Sequence, residues 1–527
     1  MNVKLFLKKV TSVLQKNEVK GPISYRKILY PLSSILLVPL VGCSEQKAEE
    51  TEARLPNFVI LMSDNHNWEH LGCYGDPVLK TPTIDKLAAE GIRFNNAYCS
   101  APSSSPARAA MLTGQDVWRL EEAANLWGDF PAHFEVLPEL LAKAGYLVGH
   151  EGKGWGPGNW EASGRTENPA GKKYYSFEEF YNDKDRGQPF FYWWSSRDPH
   201  RPFKLGGWED GNIDIDKIEV PAYLPDTDEV RKDIGDYYAE IENFDKDVAS
   251  YIQLLQEMGE LRNTIVLVCS DNGWQMPRGL GNLYDVGLRL PFIMSVPERY
   301  KGSRVIEDFV SLNDVAPTFL ELAGAEIPEA MNARSFVNIL ESDKEGQVDE
   351  TRDFIVAGRE RHAFARMDGP GYGARSYRTK DYLYIRNSTP DAWPAGDRRL
   401  YGDVDAHMMQ FPSPTKMYIL KNKDKEDVKK YFDLGFGKRP AEELYILSND
   451  PYQMNNVANS AEYKDIKDEL AEKLTNHLVK YEDPRETGAP MKWLNAPYYA
   501  EKDKTPKPSQ HSIDELGLEE EYSLISK

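Results

Sequence analysis

Three segments far apart in the chain share one pattern, an unbroken apolar run that stops on acid and amide groups. NFVILMS (57–63) runs into Asp64-Asn65, PFFYWWSS (189–196) into Asp198-Pro199-His200, and TIVLVCS (264–270) into Asp271-Asn272-Gly273. Short apolar runs without polar alternation fit strands covered on both faces, as in parallel sheets. Helical patterns separate them. TPTIDKLAAEG has a proline near its start and Gly91 at its end, and LPELLAKAG ends on Gly145 before the strand-like LVGHEGK. A long amphipathic helix is expected over 230–258, and a further one in NDVAPTFLELAGA. Alternating strands and helices predict an α/β fold, with a large mostly parallel sheet and helices on both faces. Polar residues directly after strand ends then meet on one rim, where such sheets bind ligands.

The texture changes near residue 345. DFIVAGRERHAFARM and ARSYRTKDYLYIRN read as antiparallel strands, and Ile466, Leu470, Leu474 and Leu478 lie four apart on one face of a helix at 461–481. The expected organisation is a catalytic α/β domain at 55–345, a smaller C-terminal α+β subdomain at 346–483, and an extended tail at 484–527 rich in proline and charge. No internal repeat is evident. The 527 residues carry a net charge of −20, which argues against a nucleic-acid partner bound by a broad basic surface.

The first residues read as an export signal. YRKILYPLSSILLVPLVGC is a basic start followed by an apolar run that is short for a membrane span. Its end, Leu40-Val41-Gly42-Cys43, resembles a bacterial lipobox. On that reading, residues 1–43 are a lipoprotein signal peptide, Cys43 is lipidated, and 44–54 tether the protein to the membrane. It would be an exported, outer-membrane-anchored lipoprotein facing the periplasm or the cell surface. An ordinary signal peptide or a short anchor is the competing reading. Cys73, Cys99 and Cys269 remain, too few and too odd in number for a disulfide framework.

One stretch, CSAPSSSPARAAMLTG (99–114), asks which serine matters. Ser105 is a fair helix N-cap with Pro106 at the first helical position, and Gly114 closes the helix. Ser104 is then left just outside a helix N-terminus, where backbone N–H groups and the helix dipole attract anions. Arg108 lies one turn further in. A nucleophile and a guanidinium so placed suit a tetrahedral oxyanion such as sulfate or phosphate.

Ser104, Pro106 and Arg108, followed by Ala-Ala-Met-Leu-Thr-Gly, resemble the Cys/Ser-x-Pro-x-Arg signature of the formylglycine-dependent sulfatases, serine type. Ser100 and Cys99 do not fit that spacing. SDNHNWEHLGCYG, Gly152-Lys153, Pro199-His200, Ser270-Asp271-Asn272-Gly273 and ELYILSNDPYQMNNVA (443–458) match further family motifs in order, over roughly residues 55 to 480. RDPHRPF, EVPAYLPDTDEVRKDIGDYYAEI and SDNGWQMPRGLGNLYDVG look most like the heparan N-sulfatase branch, whose bacterial relatives include enzymes for marine polysaccharides such as ulvan.

The resemblance implies an alkaline-phosphatase-like sulfatase fold and desulfation of oligosaccharides from a sulfated polysaccharide. It implies formylglycine made from Ser104 by a serine-type maturating enzyme, and one Ca2+ held by Asp64, Asn65, Ser104, Asp271 and Asn272. Arg108 and Lys153 would stabilise sulfuryl charge, and His200 would protonate the leaving atom. Three positions depart from the pattern. Asn65 stands where Asp is usual, and Trp155 where a histidine is usual, which leaves His150 or His66 to take its role. A usual lysine after Ser-Asp-Asn-Gly is missing, with Arg278 the nearest cation. Arg201, His362 and Arg375 are further candidates for touching substrate, and Trp68, Trp127, Trp160 and Trp274 for stacking on sugars. The alternatives are an N-sulfoglucosamine sulfohydrolase, a phosphoester hydrolase of the same superfold, and a non-catalytic lipoprotein that binds sulfated glycans.

Overall fold

The apolar runs become the centre of a seven-stranded sheet. In the computed structural model, which describes residues 54–366, 369–396, 401–403 and 413–500 with 513, 514 and 517, the strands are β1 (Asn57–Ser63), β2 (Ile92–Tyr98), β3 (Leu147–Gly152), β4 (Phe190–Ser195), β5 (Thr264–Ser270), β6 (Phe292–Ser295) and β7 (Arg304–Ser311). Their order across the sheet is β3-β4-β1-β5-β6-β2-β7. Every pairing is parallel except those of β6, which runs against both β5 and β2. All residues of β1, β4 and β5 are buried, which is why these strands read as continuous apolar runs rather than alternating ones. Cys43, the 44–54 tether up to residue 53 and most of 501–527 lie outside the described residues.

Register places the strand ends side by side. Gly152 of β3 and Met62 of β1 both pair with Ser195 of β4, and Ser63 of β1 pairs with Ser270 of β5. The residues that follow, Lys153, Asp64 and Asp271, therefore leave the sheet along one rim. Gly152 is required at its corner: its φ is +78°, and a Cβ there would lie 2.2 Å from the Ser195 carbonyl oxygen. The helices Pro82–Glu90, Leu137–Lys143, Asp228–Glu257 and Val315–Leu322 form close to where the sequence predicts them.

The change of texture near 345 marks a second, four-stranded antiparallel sheet. Its strands are β8 (Phe354–Arg359), β9 (Ala374–Thr379), β10 (Tyr382–Asn387) and β11 (Glu442–Ile446), in the order β11-β10-β9-β8. The helix Lys464–Lys480 buries Leu470, Leu474 and Leu478 in a core shared with Val356, Tyr377, Tyr384 and Leu444. Ile466 is only half-buried, at the edge of that cluster. Residues 53–527 form one compact unit. The tail is tied to it: Asn125 donates to the Trp493 carbonyl and Arg361 to those of Ala496 and Pro497.

Leu474 is fully buried where this helix meets the small sheet. Leu474→Ala is expected to cost about 3 kcal/mol, read as a lower urea midpoint of unfolding with an unchanged slope.

Candidate active site

Ser104 is the first residue of the helix Ser104–Thr113, and Ser103, not Ser105, is its N-cap. No cap side chain bonds the helix. The Ser103 hydroxyl instead shares a 2.8 Å hydrogen bond with Nδ1 of His362, just after β8. Pro106 sits at the third helical position, where its missing N–H leaves no gap because the first four N–H groups of a helix have no internal acceptor. Gly114 closes the helix at φ +59°, as expected. Backbone bonds from Cys99 N to Leu288 O, Gly281 N to Pro102 O and Gly358 N to Ser100 O hold the segment before Ser104.

The rim residues meet at this helix start. The Ser104 hydroxyl lies 3.5 Å from Asp64 Oδ1 and 3.5 Å from Asn272 Nδ2. Arg108 is completely buried: Nε donates to Asp271 Oδ2 at 2.9 Å, and Nη1 to Ser195 Oγ and the Gly154 carbonyl. Its Nη2 has no hydrogen-bond partner and lies 3.6 Å from Asp64 Oδ2. Lys153 Nζ, partly exposed, donates to Asp64 Oδ2 at 2.7 Å and lies 3.9 Å from Asp271 Oδ2. Burial pushes the Asp64 carboxyl up, but Lys153, His200 and Arg108 more than reverse this and hold it at about 2. Both aspartates thus face cations.

The donor chemistry fits a hard cation. Asn65 N donates to Asp271 Oδ1. Asn65 has φ +65°, a left-handed conformation that asparagine tolerates better than most residues. The Oδ1 atoms of Asn65 and Asn272 are buried with no hydrogen-bond partner, a costly state unless something else contacts them. Two carboxylates, two orphaned carboxamide oxygens and a serine oxygen make an all-oxygen set of the kind Ca2+ takes. Among the described residues, no group of three or more His, Cys, Asp or Glu side chains gathers to hold a metal.

Several sequence candidates stand elsewhere. Trp155 is buried; its indole N–H donates to the Ser105 carbonyl at 3.0 Å, and its ring meets Phe130 edge-on. It braces the first turn of the helix Ser104–Thr113 and, being buried, offers no face to a substrate. His66 uses both ring nitrogens, on Ser63 Oγ and the His70 carbonyl. His150 bonds the Gly171 carbonyl and packs beneath Gly154. Burial lowers both imidazoles to about 4, so both are neutral near pH 7, each held by its own hydrogen bonds. Arg201 is buried in a two-pronged pair with Asp233, 2.8 Å at each contact, rather than aimed at a ligand. Arg278 donates to the carbonyls of Leu434 and Gln453 and stacks on Tyr284, so it joins the C-terminal part instead of binding sulfate. Arg375 is buried between Asp483 and Glu360. His362 comes close, through Ser103, but is itself buried.

His200 stays at the rim, half-buried. Its Nδ1 bonds the Arg201 carbonyl, and its Nε2 lies 3.4 Å from Gln275 Nε2. Sequence reasoning missed Gln275, whose Oε1 accepts from Arg201 N. It missed Asp233 too, and Ser195, although Ser195 ends an apolar run where polar residues were expected to cluster. Asp233 carried no local signal, because its partner lies 32 residues away.

A mostly parallel sheet whose rim holds a hydroxyl at a helix start, a buried guanidinium and an oxygen-donor cluster defines a hydrolase of tetrahedral oxyanion esters. The chain belongs to the sulfatase family, whose model, described as Sulfatase, matches residues 56–325, just over half of its length; it is a sulfuric ester hydrolase. It is 25% identical over 516 residues to an ulvan-active sulfatase of Formosa agariphila, covering 86% of this chain and 81% of that one. It is 26% identical over 500 residues to the human N-sulphoglucosamine sulphohydrolase, covering 84% and 92%. A solved structure described as in complex with its substrate D-glucosamine-2-N,6-O-disulfate shares the fold, with a TM-score of 0.59 at 20% identity over 81% of this chain and 98% of that one. So does a phosphonate monoester hydrolase of Silicibacter pomeroyi, with a TM-score of 0.60 at 15% identity over 81% and 96%.

Trp155→Phe keeps an aromatic ring but removes the indole N–H that reaches the Ser105 carbonyl, so it is expected to lower stability by about 1 kcal/mol and to reduce sulfate release, both measured on the same preparation. The neutral histidines set a pH dependence. Their folded values near 4 lie below the ordinary 6.5, so the unfolded chain binds more protons between these limits. The stability they favour is present above pH 6.5 and is lost as pH falls toward 4. Thermal midpoints taken across this window are expected to decline less in a His66→Gln/His150→Gln double variant.

Proposed function

We propose that this sulfatase removes sulfate groups from oligosaccharides of a sulfated polysaccharide, of the ulvan or heparan sulfate type, with residue 104 as the nucleophile. The carrying observation is the position of Ser104 at a helix start between Asp64 and Asn272, with the unpartnered Arg108 Nη2 and the Lys153 ammonium beside Asp64. The names of the two curated relatives support the substrate class.

Conversion of Ser104 to formylglycine by a serine-type maturating enzyme would supply a hydrated aldehyde whose oxygen is nucleophilic. Ca2+ held by Asp64, Asn65, Asp271, Asn272 and the oxygen of residue 104 would supply polarisation of a sulfate oxygen. The chain's own groups do the rest. Arg108 Nη2 and Lys153 Nζ donate to sulfuryl oxygens as negative charge builds there. Asp271 and Ser195 fix the guanidinium plane, so that Nη2 needs no rearrangement. His200, at the rim and steadied through Nδ1 by the Arg201 carbonyl, gives a proton to the departing sugar oxygen or nitrogen. The lipobox at Cys43 supports an exported, outer-membrane-anchored lipoprotein facing the periplasm or the cell surface, where large glycans are met.

Peptide mass spectrometry of the active protein from its native host is the test. The peptide carrying residue 104 is expected to be two hydrogens lighter than its serine form, and an intact serine in fully active protein would end this mechanism. Ser104→Ala is expected to abolish sulfate release, and calcium chelation to lower it reversibly. Faster cleavage of phosphate than of sulfate esters would instead favour the phosphoester reading, for which the shared fold of the phosphonate monoester hydrolase speaks.

A further inference from the structure

The four tryptophans considered for sugar stacking separate cleanly. Trp274 is fully buried, the Arg289 guanidinium lies over the Trp68 ring at 3.6 Å, and Trp160 packs against the main core. Trp127 is half-buried and belongs to neither apolar core. Its backbone stands at φ +57°, an unfavourable conformation for a bulky residue. Strain of this kind persists only where the surroundings impose it, and it gathers at functional sites.

Two of its backbone connections lead along short stretches of chain to Lys153 and to Ser103. Trp127 N donates to the Pro157 carbonyl at 3.2 Å, and its own carbonyl accepts from Tyr499 N of the tail at 2.8 Å. Pro157 is four residues beyond Lys153, which limits the span between them to about 14 Å. A second route leads back to the nucleophile. Leu126 N donates to the Arg361 carbonyl, and the next residue, His362, bonds Ser103. Beside the indole, Tyr498 stands edge-on at 6.4 Å, with Phe364 at 5.6 Å from Tyr498 and the Arg361 guanidinium over its ring.

We infer that the Trp127 indole is the platform for the pyranose ring next to the sulfated one in an oligosaccharide substrate, an assignment that rests on the function proposed above. An indole presents an apolar face to the C–H side of a sugar ring and leaves the hydroxyls to water. Trp127 is joined through the Pro157 carbonyl to the loop that leaves Lys153.

The test uses the full chain with sulfated disaccharides and tetrasaccharides from heparan sulfate and from ulvan, titrated by calorimetry. Trp127→Asn suits the left-handed backbone and so folds, but has no ring. It is expected to bind these oligosaccharides about tenfold more weakly and, in the matured enzyme, to raise their KM rather than lower kcat. Trp127→Phe is expected to recover most of the affinity. Unchanged affinity in Trp127→Asn would overturn the assignment, as would a loss confined to kcat and melting temperature. If the wild type releases sulfate from a small aryl sulfate but binds none of the oligosaccharides, the platform falls and the proposed reaction stands. If affinity depends on Trp127 while the protein releases sulfate from no ester, the platform stands and the reaction falls.

Discussion

Two carboxylates at the ends of neighbouring parallel strands govern the rest of the rim. Asp64 and Asp271 follow Ser63 and Ser270, which pair directly across β1 and β5. Both are buried, and two like charges there are tolerated only with counter-charge. Arg108 reaches both carboxylates, and Lys153 lies 2.7 Å from one and 3.9 Å from the other. This pairing draws the helix Ser104–Thr113 and the turn after β3 to the same point. The place of Ser104 is thus a consequence of charge balance at strand ends. The same arrangement leaves one guanidinium nitrogen and two carboxamide oxygens unpartnered where an anion and a cation would meet.

Buried arginines do a different task further out. Arg201 holds the loop after β4 to the long helix through Asp233, and Arg278 and Arg375 tie loop and strand to carbonyls and acids of the C-terminal part. Buried ion pairs are weak evidence of net stability, because desolvation offsets much of their attraction. Breaking one partner is costly, however, so they hold geometry. The small sheet and the tail therefore act on the site from outside it. His362 bonds the N-cap of the nucleophile helix, and Tyr499 bonds the carbonyl of Trp127.

The fold was legible from local physics, and the site from the order of motifs that resemble a known family. β1, β4 and β5 were readable because burial on both faces demands unbroken apolar runs, and the long helix because amphipathic periodicity extends over many turns. Asp64, Asn65, Lys153, Asp271 and Asn272 come together because each follows a strand end, and Ser104 and Arg108 join them from the first turns of one helix. The helix start shifted by two residues, since the Ser103 hydroxyl answers to His362, 259 positions away. Arg201, Arg278 and Arg375 misled for a related reason. A basic residue near a motif looks the same in sequence whether it meets a ligand or a distant carbonyl.

Two of the three departures from the family pattern bear on charge. Asn65 in place of an acid removes one negative charge from the cluster, and Trp155 in place of a histidine removes one group able to carry a positive charge. Two carboxylates then face Arg108 and Lys153, while the carboxamide oxygens of Asn65 and Asn272 stay unpartnered beside them. Trp155 also explains why it cannot simply be exchanged for a histidine. Its indole fills the space against Phe130, its N–H holds the Ser105 carbonyl, and a Cβ at Gly158 would meet its ring at 2.5 Å. A smaller imidazole would leave a cavity beside the nucleophile helix. Trp155 is therefore fixed by its neighbours.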